Sequence, residues 1–275
     1  MDIINRNFYR LLLAGAFGEQ PELELMSQFK WNRILQIAER QNVYNYVLVG
    51  LMCHRHDLSV TLSQAMWEDL ADKHITIPDV AATTMTIMQE EPMPSNIFLR
   101  HTWRRIIKKD DESDDSSLET QQLLSIIIYN INHTLTSGIS LRGIIEMGRY
   151  LRQRGDRVDY VRLEQWLHKL GFVRMASLLG TVLIRIFDFT IDELPFMQKE
   201  EADGPRLTAR SMDETAHDTA ENWHFRMRTN GMVENNSRVL RRNLRRSLRY
   251  VRYNPLETAS NFMANFARSL SEIEE

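Results

Sequence analysis

The sequence predicts an all-α protein, a bundle of many helices with little or no sheet. Glycine and proline number only 11 and 7 among the 275 residues, which is few for the many turns of a multistranded sheet. The longest apolar block, Gln121 to Arg154, repeats its hydrophobic residues at helical spacing. No segment shows a convincing strand pattern, and the chain contains no internal repeat.

The central block is predicted to form two helices that meet at a tight turn. Gly138 lies near its middle and is expected to be the left-handed residue that ends the first helix. Ser140 follows and is a suitable N-cap for the second helix. This pair is expected to anchor the core, with an apolar face on each helix.

Helical periodicity also predicts six helices before this block. Their expected ranges are 3–17, about 27–42, 43–54, 62–73, 78–89 and 96–108. The run Lys108 to Ser117 contains no apolar residue, so it is expected to be a solvated loop. Ser116, with Glu119 three positions later, is expected to cap the helix that follows.

These features suggest three regions: an N-terminal helical region at 1–107, an acidic linker at 108–117 and a C-terminal helical region at 118–275. One continuous domain is the alternative. In the last region Asp159 and Gly171 bound a helix, and the apolar run Phe172 to Phe189 is expected to be central to the core. Residues 198–211 are expected to form a polar loop, followed by helices over about 213–227 and 237–252.

The last helix has the clearest start signal in the chain. Asn254, Pro255 and Glu257 match the N-cap, N1 and N3 positions of a helix. Phe262, Met263, Phe266 and Leu270 are expected on one face of it.

Composition indicates an ordinary globular protein of the reducing cytoplasm. The formal net charge of −3 is too small to imply a nucleic-acid or membrane partner for the whole chain. Cys53 is the single cysteine, so no disulfide can form within the chain. The run Leu11 to Gly18 is favoured as an amphipathic first helix over a signal peptide, because Asp2 lies upstream and no cleavage site follows. No membrane span is expected.

Three stretches of the chain resemble one family. NRNFYRLLLAGAF and WNRILQIAERQNV near the N-terminus, INHTLTSGISLRGIIEMGRYL at 131–151 and LRRSLRYVRYNPLETA at 244–259 are similar to segments of the bacterial uncharacterised nucleotidyltransferases. The resemblance implies a polymerase-β-like sheet that carries two neighbouring aspartates for divalent metals. Where that sheet is expected, near residues 90–121, the chain contains neither the aspartate pair nor a glycine-serine turn, so no catalytic residue is carried over.

Four weaker patterns are candidates for chemistry. Asp213, His217, Glu221 and His224 would share one helical face and could hold a metal, although a solvated polar face is the simpler interpretation. Arg162 and His168 match the loose spacing of a helical ribonuclease family. The acids of Gly155–Asp159, and those at 110–115, are interpreted as a turn with an N-cap and as a linker.

The C-terminal arginines form a possible anion-binding or partner surface. They are Arg238, Arg241, Arg242, Arg245, Arg246 and Arg249, with Arg252 beyond them. Leu240, Leu244, Leu248 and Val251 form the stripe opposite. These arginines could bind phosphate groups or anionic lipid. They could instead pair with acidic residues of this chain or of a partner, and the near-neutral charge of the chain favours such pairing.

Together these observations predict a non-catalytic, nucleotidyltransferase-like helical protein with a protein-binding or scaffold role. The expected partner is a protein, either a full-length relative or a second copy, and no cofactor or metal is expected. The alternatives are a diverged nucleotidyltransferase or helical ribonuclease, and a nucleic-acid binder that uses the C-terminal arginines.

Overall fold

A computed structural model describes residues 2–71, 75–113, 116–213 and 244–271. Within these ranges the regular structure is entirely helical, which confirms the predicted fold class. The α-helices of the described residues are α1 Ile3–Phe17, α2 Gln28–Arg40, α3 Tyr44–Cys53, α4 Gln64–Ala71, α5 Val80–Gln89, α6 Ile97–Asp111, α7 Leu118–Ser137, α8 Leu141–Arg154, α9 Tyr160–Leu170, α10 Val173–Phe187, α11 at 204–213, α12 at 244–250 and α13 Pro255–Ser271.

The helices belong to two compact units. The first contains residues up to Asp79 and includes α1 to α4, joined by Met212 and Asp213. The second contains α5 to α10, α11 as far as Ser211, α12 and α13. No helix of the described chain is long and apolar enough to cross a membrane.

The first unit is built on the contact between α1 and α3. A Cβ atom on Gly15 would clash with the backbone carbonyl of Tyr46, and one on Gly50 would clash with that of Leu11. Both helices therefore bring bare backbone to the crossing point, which allows a close approach. The segment before α2 is held to α1 by Glu24, whose carboxylate pairs with Arg6 at 2.7 Å and Arg10 at 2.9 Å.

The core of the second unit is formed by α7, α8 and α10, as the sequence predicted. The apolar side chains of α10 are almost all buried, among them Leu178, Leu179, Val182, Leu183 and Phe187. Ser140 caps α8 by accepting the N–H of Gly143 at 3.2 Å. Gly138 has φ 97° and ψ 175°, a conformation open essentially to glycine alone. The predicted turn between two core helices is therefore confirmed. The left-handed conformation predicted for Gly138 is wrong, because its ψ is extended.

Three predicted boundaries are wrong. The loop expected from Lys108 is helical as far as Asp111, because Asp110 is buried and finds partners on two other helices. The cap of α7 is Ser117 and not Ser116, since the Ser117 hydroxyl accepts the Thr120 N–H at 3.3 Å.

The predicted polar loop at 198–211 is the third error, because residues from 204 onward form α11. Leu207, Thr208 and Ser211 are buried on one side of this helix. The Ser211 hydroxyl accepts the N–H of Ile139 at 3.0 Å, which joins α11 to the turn after Gly138. On the buried side of α11, small polar residues stand at positions where a helical pattern would have apolar ones. Hydrophobic periodicity therefore did not predict this helix.

Candidate functional site

The outward face of α12 is the main candidate for a binding surface. Leu244, Leu248 and Val251 are 43, 63 and 38% exposed. Val251 directly follows α12, and its N–H still donates to the Ser247 carbonyl at 3.1 Å, so the spacing of four and three places all three side chains on one side. We call these three residues the apolar stripe. The opposite side carries Arg246, Ser247 and Tyr250, all buried. This arrangement is the reverse of an ordinary surface helix, whose apolar side faces the core.

Arg246 explains the orientation of α12. Its guanidinium donates a hydrogen bond to the backbone carbonyl of Thr136, in the last turn of α7. A cation is favourable there, because the carbonyls of the last turn have no partner within their own helix and form the negative end of its dipole. Tyr250, one turn later, is buried beside it. These two residues fix the helix with its apolar stripe facing outward.

The six arginines predicted as an anion or partner surface therefore do not act together among the described residues. Arg246 is buried, Arg245 is exposed and Arg249 is partly exposed. Arg238, Arg241 and Arg242 lie outside the described residues, as does Leu240 of the predicted stripe. Arg252, after the helix, is paired with Asp203. The exposed part of the surface is consequently apolar with a basic edge.

The start of α13 was predicted correctly, with Asn254 as the N-cap and Glu257 at position N3. Asn254 accepts the N–H of Glu257 at 2.9 Å through its side-chain oxygen, as expected of an N-cap. The Glu257 carboxylate does not close a capping box on this helix. It accepts the backbone N–H groups of Ser95 and Asn96, at the start of α6, the second at 3.1 Å.

Glu257 is completely buried, so its environment changes its acidity. Burial raises the pKa of the Glu257 carboxyl above its ordinary value, and the backbone N–H groups of Ser95 and Asn96 oppose that rise without cancelling it. Two helix starts are thus joined by one carboxylate. Asn96 reinforces the joint through a hydrogen bond of 2.8 Å to Ser260 on α13.

Phe262 and Phe266 share one side of α13, as predicted, with their rings stacked 6.4 Å apart and both partly buried. The side chain of Leu270 lies outside the described residues. The buried residues of α13 include Glu257, Thr258 and Asn261, which are polar, whereas Met263 is exposed. Leu256 is exposed as well and lies on the same side as Met263. Large apolar side chains of α13 therefore remain available at the surface of the second unit, as they do on α12.

The predicted metal candidates are mostly beyond the described chain. Asp213 is exposed, and His217, Glu221 and His224 lie outside the described residues. Among the residues that the structure does describe, no group of three or more His, Cys, Asp or Glu side chains could hold a metal ion.

Asp110 has a structural role that the sequence did not reveal. Its carboxylate pairs with Arg162 of α9 at 2.7 Å and accepts the side-chain amide of Gln121 of α7 at 2.8 Å. It also accepts the N–H of Ser117 at 3.3 Å. One side chain thereby connects α6, α7 and α9. The available signal was its position four residues after Ile106, on the buried side of α6.

The predicted pair of Arg162 and His168 does not form a cleft within this chain. Arg162 is engaged by Asp110 and also lies 3.3 Å from Asp159. His168 is exposed, and its Nε2 lies 3.0 Å from the side-chain amide of Gln198. Each side chain therefore has its own set of partners at a different end of α9.

The segment that carries the family resemblance is also used for structure. The His133 Nδ1 atom lies 3.2 Å from the backbone carbonyl of Gly138. Arg142 pairs with Glu146 at 2.7 Å one turn along α8. The pKa of Tyr129 is raised by burial and, to a smaller extent, by Glu90 and Glu146. The contacts of His133 and Arg142 stabilise the turn and the start of α8.

A cleft of about 470 Å³ lies in the first unit and is bordered by α2 and α4. Its lining residues are Asn32, Leu35, Gln36, Glu39, Tyr44, Ala65, Met66 and Leu70. Glu39 is the only ionisable side chain among them apart from Tyr44. The cleft therefore offers no combination of acid, base and nucleophile for catalysis.

Comparison with known proteins adds no assignment. No family model, curated protein or solved structure matches the chain. The resemblance to the nucleotidyltransferases thus stays a prediction from the sequence.

Proposed function

We propose that this chain is a non-catalytic, nucleotidyltransferase-like protein that binds another protein through the apolar stripe of α12. The observation that carries the proposal is the outward orientation of Leu244, Leu248 and Val251. Exposed apolar residues in a row are typical of protein-binding surfaces. Covering each of these side chains would contribute on the order of 1 kcal/mol, because each is already partly shielded from water.

The surroundings of the stripe indicate what the partner presents. Arg245 is exposed at the edge of the stripe, and arginine is enriched in protein interfaces. The complementary surface would therefore combine an apolar centre with acidic residues at its rim. Three side chains cover less than the roughly 800 Å² per partner of a standard interface. Leu256 and Met263, exposed on α13, are candidates for the remainder.

The fold of the central segment supports the non-catalytic part of the proposal. The family resemblance would require a metal-binding sheet between residues 90 and 120. The described residues of that range contain α6 and the start of α7, with no strand. Two carboxylates side by side on a strand, as the chemistry requires, are not found in this part of the described chain.

The proposal is tested by comparing two triple variants in the native cell. Leu244→Ser, Leu248→Ser and Val251→Ser remove the stripe, whereas Leu25→Ser, Phe29→Ser and Leu58→Ser remove apolar residues elsewhere that are even more exposed. We expect a protein that co-purifies in fixed stoichiometry with the wild-type chain and the control, and not with the stripe variant. Equal loss from both variants would contradict the proposal.

Two further measurements separate the remaining possibilities. Sedimentation velocity of the purified chain distinguishes a second copy from a different partner, since the chain alone can form only a self-complex. Calorimetric titration with a nucleoside triphosphate and Mg²⁺ tests for residual nucleotidyltransferase chemistry. We expect no binding heat, and saturable binding that depends on Mg²⁺ would favour the enzyme instead.

A further inference from the structure

The outward face of α6 carries a row of basic side chains that the sequence analysis did not single out. His101, Arg104, Arg105, Lys108 and Lys109 are all exposed. Their spacing of three, one, three and one keeps them on one side of the helix. We call these five residues the basic ridge. It extends over about 12 Å, given a rise of about 1.5 Å per residue.

The acidic segment 110–115 follows the ridge directly. Of its described carboxylates, Asp110 binds Arg162 and Gln121, and Asp111 accepts the Gln121 amide. Glu112 lies 3.7 Å from Lys108, and both of these side chains are well exposed. Within the described residues, no carboxylate oxygen lies within 4.0 Å of a side-chain nitrogen of Arg104, Arg105 or Lys109. The Arg105 guanidinium lies 3.2 Å from His101 Nε2, one turn earlier on the same helix. Like charges one turn apart destabilise a helix, so a bound anion would relieve repulsion along the ridge.

The ridge is held rigidly because α6 is fixed at both ends. At the start of α6, the Asn96 side chain accepts the N–H of Phe98 at 2.9 Å. The Glu257 carboxylate accepts the backbone N–H groups of Ser95 and Asn96, which precede the helix. Near its end, Asp110 pairs with Arg162 at 2.7 Å. A surface that is already ordered loses little conformational entropy when it binds a ligand.

Phe98 adds an aromatic surface at one end of the ridge. It is 79% exposed and lies three residues before His101, on the same side of α6. Exposed aromatic rings beside rows of cations are typical of proteins that bind single-stranded nucleic acid, because bases stack on the ring while the backbone contacts the cations. From this combination we propose that the basic ridge and Phe98 bind single-stranded RNA or DNA without sequence preference.

The arrangement favours nucleic acid over an anionic membrane. A helix that lies in a membrane surface needs an apolar face along its length. Exposed apolar residues of α6 are confined to its first turn, at Ile97 and Phe98, and Ile106 farther along is buried. The outward side of the following turns is cationic. The proposal is independent of the apolar stripe, which lies on a different helix.

The experiment uses fluorescence anisotropy of a labelled 12-nucleotide single strand over a series of salt concentrations. Four permanent cations predict that the logarithm of the association constant falls with the logarithm of salt concentration with a slope of about −3. The ridge variant combines Arg104→Gln, Arg105→Gln, Lys108→Gln and Lys109→Gln. We expect its affinity for the single strand at low salt to fall at least ten-fold and its salt slope to approach zero. Glutamine suits a helix, so the fold should be retained.

A matched control removes the same charge elsewhere. Arg33→Gln, Arg157→Gln, Lys169→Gln and Lys199→Gln alter exposed residues outside the ridge, and affinity should stay within about two-fold of wild type because those cations lie outside the proposed site. Phe98→Ala should weaken binding about five-fold or more with an unchanged salt slope, since it removes stacking and not charge. The stripe variant should bind as the wild type does.

Several results would overturn the proposal. Absence of salt-dependent binding by the wild-type chain would do so, as would equal losses in the ridge variant and its control. Tighter binding to phosphatidylserine vesicles or to polyglutamate than to the single strand would assign the ridge to a membrane or to an acidic protein.

Discussion

Two buried carboxylates, Asp110 and Glu257, hold α6 in place in the second unit. Each binds groups outside its own helix. The spacing from Ile106 hints at the burial of Asp110, but no pattern in the sequence reveals the partners of either carboxylate. A buried carboxylate is costly unless it is paired or hydrogen-bonded. Their removal should therefore affect stability strongly.

Glu257→Gln should lower the free energy of unfolding by roughly 1–3 kcal/mol, because an amide offers only one acceptor to two backbone N–H groups. The difference in unfolding free energy between the wild type and this variant should also depend on pH. The pKa of Glu257 is raised by folding, so between the ordinary value of 4.5 and the folded value the unfolded chain binds fewer protons. Wild-type stability then falls as pH rises through that window.

Urea unfolding of both proteins from below pH 4.5 upward measures this effect. The stability difference between wild type and Glu257→Gln should shrink with rising pH and then level off. A difference that grows over the same interval would show that the folded pKa is lowered and not raised.

Asp110→Ala should be destabilising by about 3 kcal/mol, because it leaves the largely buried Arg162 without its closest carboxylate. Glu112→Ala is the matched control, since that side chain is exposed and 3.7 Å from Lys108; its effect should stay below about 0.5 kcal/mol. Thermal or urea unfolding compares the two. Similar values for both variants would refute the structural role of Asp110.

Among the helices, the long apolar ones were predictable and the polar ones were not. α7, α8 and α10 follow helical periodicity with large aliphatic residues, so their type and place were predicted correctly. The N-caps predicted at Asp159 and Asn254 were also correct. Short polar side chains before an apolar run indicate the start of a helix, because they accept the free backbone N–H groups of its first turn. α11 was missed because its buried side carries Thr208 and Ser211.

The orientations of α12 and α13 were beyond the reach of periodicity. A hydrophobic pattern assigns the apolar side to the core, yet α12 is fixed by Arg246 and α13 by Glu257. Both depend on backbone groups of helices far away in the sequence. Such partners become visible only when the chain is folded, and the candidate binding surface was therefore only partly predictable.

The crossing of α1 and α3 yields a prediction for a pair of elements. Gly50→Ala places a methyl group against the carbonyl of Leu11, so the helices must separate. We expect a loss of roughly 1–3 kcal/mol in unfolding free energy. Gly155→Ala is the control, because the nearest atom there is the hydroxyl oxygen at the tip of Tyr160. A tolerated alanine at position 50 would contradict the close packing.

In the whole molecule, the second unit carries both proposed surfaces. The apolar stripe belongs to α12 and the basic ridge to α6. Since they differ in chemistry, their responses to salt should differ in size. Raising the salt concentration weakens contacts of the ridge with phosphates, whereas apolar association is little screened. Protein capture that persists at high salt, together with loss of nucleic-acid binding, is the expected pattern.

The most direct test of the protein-binding role is photo-crosslinking from within the stripe. Benzoyl-phenylalanine in place of Leu248, in the native cell, should give a discrete crosslinked product of chain plus partner after irradiation. The same group in place of Leu58, which is 96% exposed in the first unit, should give none. Adducts of equal yield from both positions, or none from Leu248, would contradict a partner seated on α12.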